Sequence, residues 1–136
     1  MASKKRLIIL GSTGSVGRSC LDVVARLPER FRVTGLVAHQ DGALLERQIR
    51  RFRPHVVALA NHTAARALRR RCRDLPVTVL EGPEGVTRVA THHEADLVVA
   101  AVVGAAGLAP TLAAIDRKST RLNSSHIQKS RMPSSA

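Results

Sequence analysis

The sequence contains no tryptophan and no tyrosine, and its only phenylalanines are Phe31 and Phe52. Its core therefore has to be aliphatic, made of Val, Leu, Ile and Ala. The same lack removes the aromatic platforms on which single-stranded nucleic acids stack their bases. Cysteine occurs twice, as Cys20 and Cys72, with no CxxC and no metal-ligand spacing. The chain reads as carrying two reduced thiols, not a disulfide framework or a zinc site. No apolar run approaches the roughly 18 residues that would span a bilayer. The longest, Leu97 to Val103, has the length of a strand. The basic start Met1-Ala2-Ser3-Lys4-Lys5-Arg6 leads into an apolar segment that ends at Gly11, too short for the core of a signal peptide. A cytoplasmic protein without a membrane partner is expected.

Acidic residues are also scarce: ten Asp and Glu face 22 Lys and Arg, for a formal charge of +12. Clustered cations neutralise phosphates, so the excess invites a nucleic-acid reading. Its location argues the other way. Arg117, Lys118, Arg121, Lys129 and Arg131 stand in a stretch without any acid, and setting these five aside leaves +7 for residues 1–116. Much of the remainder sits in helix-like segments, as Arg69, Arg70, Arg71 and Arg73 do. Such runs ordinarily form a solvated face. No nucleic-acid partner is expected.

What is present is an alternation. The 136 residues are 44% hydrophobic, enough for one buried core and one ordinary domain. Residues 1–116 form the candidate domain. Residues 117–136 are rich in Ser, carry charge of one sign and have few apolar groups. They are expected to be disordered, and they read as adaptor- or vector-derived sequence outside the fold.

Within the first part, short apolar runs predict strands over 6–10, 31–38, 55–60, 77–80 and 96–102. Between them, helices are predicted over 15–27, 42–52, 63–73 and 83–90, with another starting after the Gly104-Ala105-Ala106-Gly107 turn and covering 108–116. In the first helix, Val16, Cys20, Val23, Val24 and Leu27 are placed on the apolar face by their spacing. In the second, Leu44, Leu45, Gln48, Ile49 and Phe52 share a side. Thr63 is the expected N-cap of the third, and Pro83 suits the first turn of the fourth. Strands alternating with helices imply parallel pairing. Their near-continuous apolar character implies a sheet covered on both sides. The expected fold is α/β, a Rossmann-like, doubly wound parallel sheet with helices on both faces, truncated.

The chemistry is carried by Leu7-Ile8-Ile9-Leu10-Gly11-Ser12-Thr13-Gly14-Ser15-Val16-Gly17. This GxxGxxG pattern is a variant of the dinucleotide fingerprint, and it stands where that fingerprint belongs, after a strand and opening a helix. Gly11 supplies unusual backbone angles for the turn. Gly14, without a Cβ, lets a pyrophosphate approach the backbone, and Gly17 lets the helix pack near the sheet. The helix N-terminus offers unpaired N–H groups and partial positive charge. Thr13 and Ser15 add hydroxyls. At the end of the second strand, His39-Gln40-Asp41 lies where such folds meet the adenosine ribose. Asp41 reads equally well as a ribose contact or as the cap of the next helix. His92-His93-Glu94 reads as a polar loop, because adjacent residues rarely aim at one ion.

Together with Leu21-Asp22-Val23-Val24, Leu36-Val37-Ala38 and Val102-Val103-Gly104-Ala105-Ala106-Gly107-Leu108-Ala109-Pro110-Thr111, these segments resemble the 1-deoxy-D-xylulose 5-phosphate reductoisomerase family. The resemblance implies an NADPH-dependent enzyme of non-mevalonate isoprenoid biosynthesis. It rearranges a sugar-phosphate substrate and reduces the product to 2-C-methyl-D-erythritol 4-phosphate, assisted by Mg²⁺, Mn²⁺ or Co²⁺, typically as a homodimer. It implies that Thr13, Gly14, Ser15 and Val16 contact the cofactor phosphates, and that His39, Gln40 and Asp41 form the loop facing the 2′-phosphate.

Two departures follow. The family usually has Lys or Arg followed by Asn where this chain has Gln40 and Asp41, which implies a weaker NADP preference or another basic residue in that role. From about Arg117 the sequence leaves the family pattern, so the acidic metal ligands and catalytic region are not found and the chain as given is expected to be inactive. The rival readings are a semialdehyde dehydrogenase-type reductase, which needs a nucleophilic Cys, and a non-catalytic nucleotide-binding module.

Overall fold

The protein is described by a computed structural model covering residues 4–92 and 94–101. Five strands and four helices alternate: β1 (Lys5–Leu10), α1 (Ser15–Arg26), β2 (Phe31–Ala38), α2 (Gly42–Phe52), β3 (Val56–Leu59), α3 (His62–Arg71), β4 (Thr78–Glu81), α4 (Gly82–Ala90) and β5 (Leu97–Ala100). The strands form one sheet in the order β4-β3-β2-β1-β5, with every pairing parallel. The chain steps outward from β1 to β4, then returns across the sheet through α4 to place β5 on the other side of β1. The expected doubly wound fold is what the sheet shows, and its order reverses at β1. The predicted 104–107 turn, the helix over 108–116 and the segment 117–136 lie outside the described residues, as do Val102 and His93.

Two aliphatic layers cover the sheet. On one side Leu7, Ile9, Leu36, Val57 and Leu59 pack against Leu21 and Val24 of α1, Leu45 and Ile49 of α2, and Leu68 of α3. On the other, Ile8, Leu10, Val37, Ala58 and Val98 pack against Val86, Val89 and Ala90 of α4. Neighbouring residues of one strand thus enter opposite layers, as the pleat requires, and both layers exclude water from apolar surface. The α4 layer is close: a Cβ on Gly35 would lie 3.0 Å from a Val89 methyl and 3.1 Å from Ile8. The β1–β2 register slips between Leu7 and Ile8. Thr34, left over by that slip, is buried and donates its hydroxyl to the Leu7 carbonyl at 3.1 Å.

Two local expectations are corrected. The inward face of α1 is Gly17, Leu21 and Val24, with Cys20 partly buried; Val16 and Val23 are 61% and 48% exposed. The helix is phased by Gly17, whose lack of a side chain permits the closest approach and which carries no hydrophobic signal. The N-cap of α3 is Asn61, which accepts from the Ala64 N–H at 2.8 Å, not Thr63. An asparagine two residues earlier in the sequence caps as well as threonine or better.

Glu81 ends β4 under three cationic or ring donors. It pairs with His62 at 2.8 Å, Arg66 at 3.1 Å and Arg69 at 3.3 Å. The hydrogen bond from His62, then that from Arg66, holds its carboxyl down at about 2, from an ordinary 4.5. A depressed folded-state value stabilises at pH above the unfolded value and is lost on acidification. Glu81→Gln should therefore be less stable than the parent above pH 4.5, with the gap closing as pH falls toward about 2. Urea midpoints measured across that range check this; a gap independent of pH would show that the carboxylate charge plays no part.

Candidate functional site

Parallel strands all end at one edge, and there the sequence-predicted residues gather. Gly11, Thr13, Gly14, Ser15, Val16 and Gly17 form the turn from β1 into α1. His39, Gln40 and Asp41 form the turn from β2 into α2. The two turns are tied together: the N–H groups of Gly11 and Ser12 both donate to the Val37 carbonyl, at 2.7 and 2.9 Å. The third turn joins them through Asn61 N–H and the His39 carbonyl at 2.9 Å. Beside β1, the Ala101 N–H donates to the Leu10 carbonyl at 2.7 Å. The GxxGxxG turn thus stands at the carboxyl end of β1, between β2 and β5, where the strand order reverses. In open α/β sheets that crevice is the ligand position.

The three glycines have separate duties. Gly11 has φ +90°, a backbone conformation that side-chain-bearing residues rarely adopt. A Cβ on Gly17 would come within 2.1 Å of the Gly11 carbonyl oxygen and 2.7 Å of the Ser12 Cα, so α1 rests directly on the turn. A Cβ on Gly14 would meet only the Gly11 oxygen, at 3.7 Å; the space above it is open. Gly14 is the N-cap of α1, with no side chain to cap the helix and no acid in the first turn. The first intrahelical bond runs from the Arg18 N–H to the Gly14 carbonyl at 2.9 Å. The N–H groups ahead of it have no partner within the helix, and they carry the positive end of its dipole. Ser15 and Val16 are exposed there, and Thr13 is half-buried. Arg18 adds a cation nearby, its Nε 3.4 Å from the Gly14 carbonyl. The arrangement fits a pyrophosphate: donors, positive potential and room for close approach coincide.

The β2–α2 turn is exposed at His39, Gln40 and Asp41. Asp41 is the N-cap of α2 and accepts from the Leu44 N–H at 3.1 Å, so its capping role is visible. Among the described residues no three His, Cys, Asp or Glu come together to hold a metal ion; His92 and Glu94 belong to a polar loop in which the Glu94 N–H meets His92 Nδ1 at 3.4 Å. Cys72 is buried in the aliphatic layer, and burial, then the nearby Glu46, pushes its thiol up. Burial does the same to Cys20. Neither is poised as a nucleophile. A groove of about 600 Å³ between α1 and α2 starts at Ser15. Leu21, Leu44 and Phe52 line it together with the polar residues Arg18, Asp22 and Arg47. No helix among the described residues is long and apolar enough to cross a membrane.

Sequence reasoning missed the support of the turn. Ser12 is buried, donates its hydroxyl to Gln48 Oε1 at 2.7 Å, and accepts from Gln48 Nε2 at its carbonyl oxygen at 2.9 Å. The available signal was a glutamine on the otherwise apolar side of α2.

Comparison with known proteins gives a consistent result. A family model described as 1-deoxy-D-xylulose 5-phosphate reductoisomerase matches residues 7–122. The chain is 51% identical over 111 residues to the 1-deoxy-D-xylulose 5-phosphate reductoisomerase of Caldanaerobacter subterraneus subsp. tengcongensis, covering 82% of this chain and 28% of that protein. The Synechococcus protein of the same description is 46% identical over 114 residues, again 82% and 28% of the two chains. Among solved structures, the Zymomonas mobilis enzyme in complex with NADPH superposes with a TM-score of 0.81 at 30% identity, over 86% of this chain and 31% of that one. A DOX-P reductoisomerase in complex with NADPH, fosmidomycin and magnesium gives 0.80 at 35% identity, over 83% and 28%. The chain thus spans less than a third of the length of these relatives.

Proposed function

The chain belongs to the 1-deoxy-D-xylulose 5-phosphate reductoisomerase family, and on that premise we propose that residues 1–116 are the NADPH-binding domain of such an enzyme. The carrying observation is the open space above Gly14 at a helix N-terminus, at the sheet's switch point. In this reading Gly11 shapes the turn and Gly17 seats α1. Thr13, Gly14, Ser15 and Val16 present N–H and hydroxyl donors to the pyrophosphate, and His39, Gln40 and Asp41 lie along the adenosine ribose. When bound, NADPH supplies the hydride for reduction of a carbonyl. The residues of this chain hold and orient it; the full-length protein takes the sugar-phosphate substrate, a divalent cation and a second subunit, in the cytoplasm. The described residues do not offer a ligand set for that cation, and in this reading the 136 residues bind cofactor without turnover.

A semialdehyde dehydrogenase-type reading is disfavoured, since the family match lies elsewhere and Cys72 is buried. The test is NADPH titration of the 136-residue chain, followed by cofactor fluorescence, beside Gly14→Asp. Gly14 has φ −81° and ψ 174°, open to any residue, and Asp is a good N-cap favoured by the helix dipole. The variant should keep the parent's stability, yet lose NADPH affinity by about 100-fold or more, from a carboxylate set against a pyrophosphate. Equal affinities in the two chains would place the cofactor somewhere other than this turn.

A further inference from the structure

Among the described residues, three polar side chains are buried: Ser12, Thr34 and Gln48. Two of them hold each other. A buried carboxamide is a costly choice at a helix position whose neighbours are Leu45 and Ile49, since an aliphatic residue would fill the same space without polar atoms to satisfy. What Gln48 does there is specific. Its Oε1 accepts from the Ser12 hydroxyl at 2.7 Å, and its Nε2 donates to the Ser12 carbonyl at 2.9 Å. Turning the amide over would set oxygen against oxygen at that carbonyl, so one orientation satisfies both bonds. The Ser12 N–H is meanwhile held by the Val37 carbonyl at 2.9 Å, and a Cβ on Gly17 would come within 2.7 Å of the Ser12 Cα. Ser12 is thus held from β2 and α2, with α1 packed close beside it.

The consequence falls on the next residue. A trans peptide is planar, with its C=O and N–H pointing in opposite directions. By holding the Ser12 carbonyl toward α2, Gln48 turns the Thr13 N–H away from α2. We propose that Gln48 is a positioning residue for cofactor binding: through the Ser12–Thr13 peptide it aims the Thr13 N–H at the pyrophosphate. This rests on the reading of the turn as a pyrophosphate site, and deepens it. Gln48 touches no ligand itself. It removes the freedom of one peptide plane before the cofactor arrives, so the donor is already in place.

The test uses the ¹⁵N-labelled 136-residue chain, titrated with NADPH and followed by amide resonances. In the parent, the Thr13 amide should shift together with those of Ser15 and Val16. In Gln48→Met, which keeps volume and helix propensity but has no donor, NADPH should bind about 10-fold more weakly, as for one lost charge-assisted hydrogen bond. The Thr13 shift should shrink while those of Ser15 and Val16 persist. Ser12→Ala, which removes the hydroxyl but leaves the bond that orients the carbonyl, should stay within about threefold of the parent. Gln48→Glu, of the same shape and still able to accept from Ser12, gives the same split if Met is not tolerated. A Gln48 variant that binds like the parent, that loses all amide shifts alike, or that is matched by Ser12→Ala overturns the role of Gln48 alone. A parent chain that does not bind NADPH overturns the reading of the turn and this role with it.

Discussion

Gly17→Ala should destabilise the domain by about 3 kcal/mol and abolish NADPH binding, although no ligand need touch residue 17. Overpacking a core typically costs about 1–3 kcal/mol, because side chains yield by changing rotamer. Here they cannot yield. The atoms that a Gly17 methyl would meet are the Gly11 carbonyl oxygen at 2.1 Å, the Ser12 Cα at 2.7 Å and the Gly11 carbonyl carbon at 2.9 Å, all backbone. Either α1 rises from the turn or the turn flattens. The first opens the packing of Leu21 and Val24 on the sheet; the second breaks the bonds from Gly11 and Ser12 to the Val37 carbonyl. Both misdirect the N–H groups of the first turn. Domains are stable by only about 5–15 kcal/mol, so the loss should be plain in urea unfolding. Gly14→Asp provides the contrast, keeping stability while losing binding. A Gly17→Ala chain within about 1 kcal/mol of the parent would mean that α1 does not sit on the turn as closely as described.

That contrast explains what the sequence could and could not disclose. The strand–helix alternation was legible because β1, β2, β3 and β5 each contain a short aliphatic run and the helices between them are stopped by Pro28 and Pro54 or capped by polar residues. α2 was predicted with its observed bounds, since Leu45 and Ile49 repeat at helical spacing and Pro54 stops it. The GxxGxxG turn was legible as a motif. The phase of α1 was not, because the contact that sets it is made by a glycine; hydropathy spacing brought in Val16 and Val23, which are exposed. The Ser12–Gln48 pair was not legible either. It links positions 36 apart in sequence, and a single glutamine on an apolar face has no periodicity to announce it. Thr34 escaped for a similar reason: a register slip between β1 and β2 leaves no trace in the pattern of either strand. In each case the missed feature is a close tertiary fit made by a small or polar residue, and the features read correctly are sums over many apolar ones.

The second large effect concerns which cofactor the β2–α2 turn admits. Gln40→Lys combined with Asp41→Asn should raise the preference for NADPH over NADH by about 100-fold. At present the turn sets an uncharged amide and a carboxylate near the place where this fold meets the ribose. A 2′-phosphate there has no Lys or Arg among residues 39–41 and faces the Asp41 charge. Asp41 also caps α2 through the Leu44 N–H, so its removal by alanine would confuse recognition with a loss of about 1 kcal/mol of helix stability. Asparagine separates the two, because it caps as well as aspartate while carrying no charge. Lysine at position 40 then adds a charge-assisted bond worth about 1.5–3 kcal/mol, or roughly 10–100-fold. Both contributions act on the phosphate alone, so NADH affinity should stay near the parent's. The gain should also shrink as salt rises, since the turn is exposed and surface charges are screened over about 10 Å at 0.1 M. The measurement is the pair of dissociation constants for NADPH and NADH at low and high salt. A ratio that does not move would show that this turn does not face the ribose, and would shift the search for the specificity residue to the cations of α3. A ratio that moves with Asp41→Asn alone would show that this chain discriminates by the repulsion it has, not by the attraction it lacks.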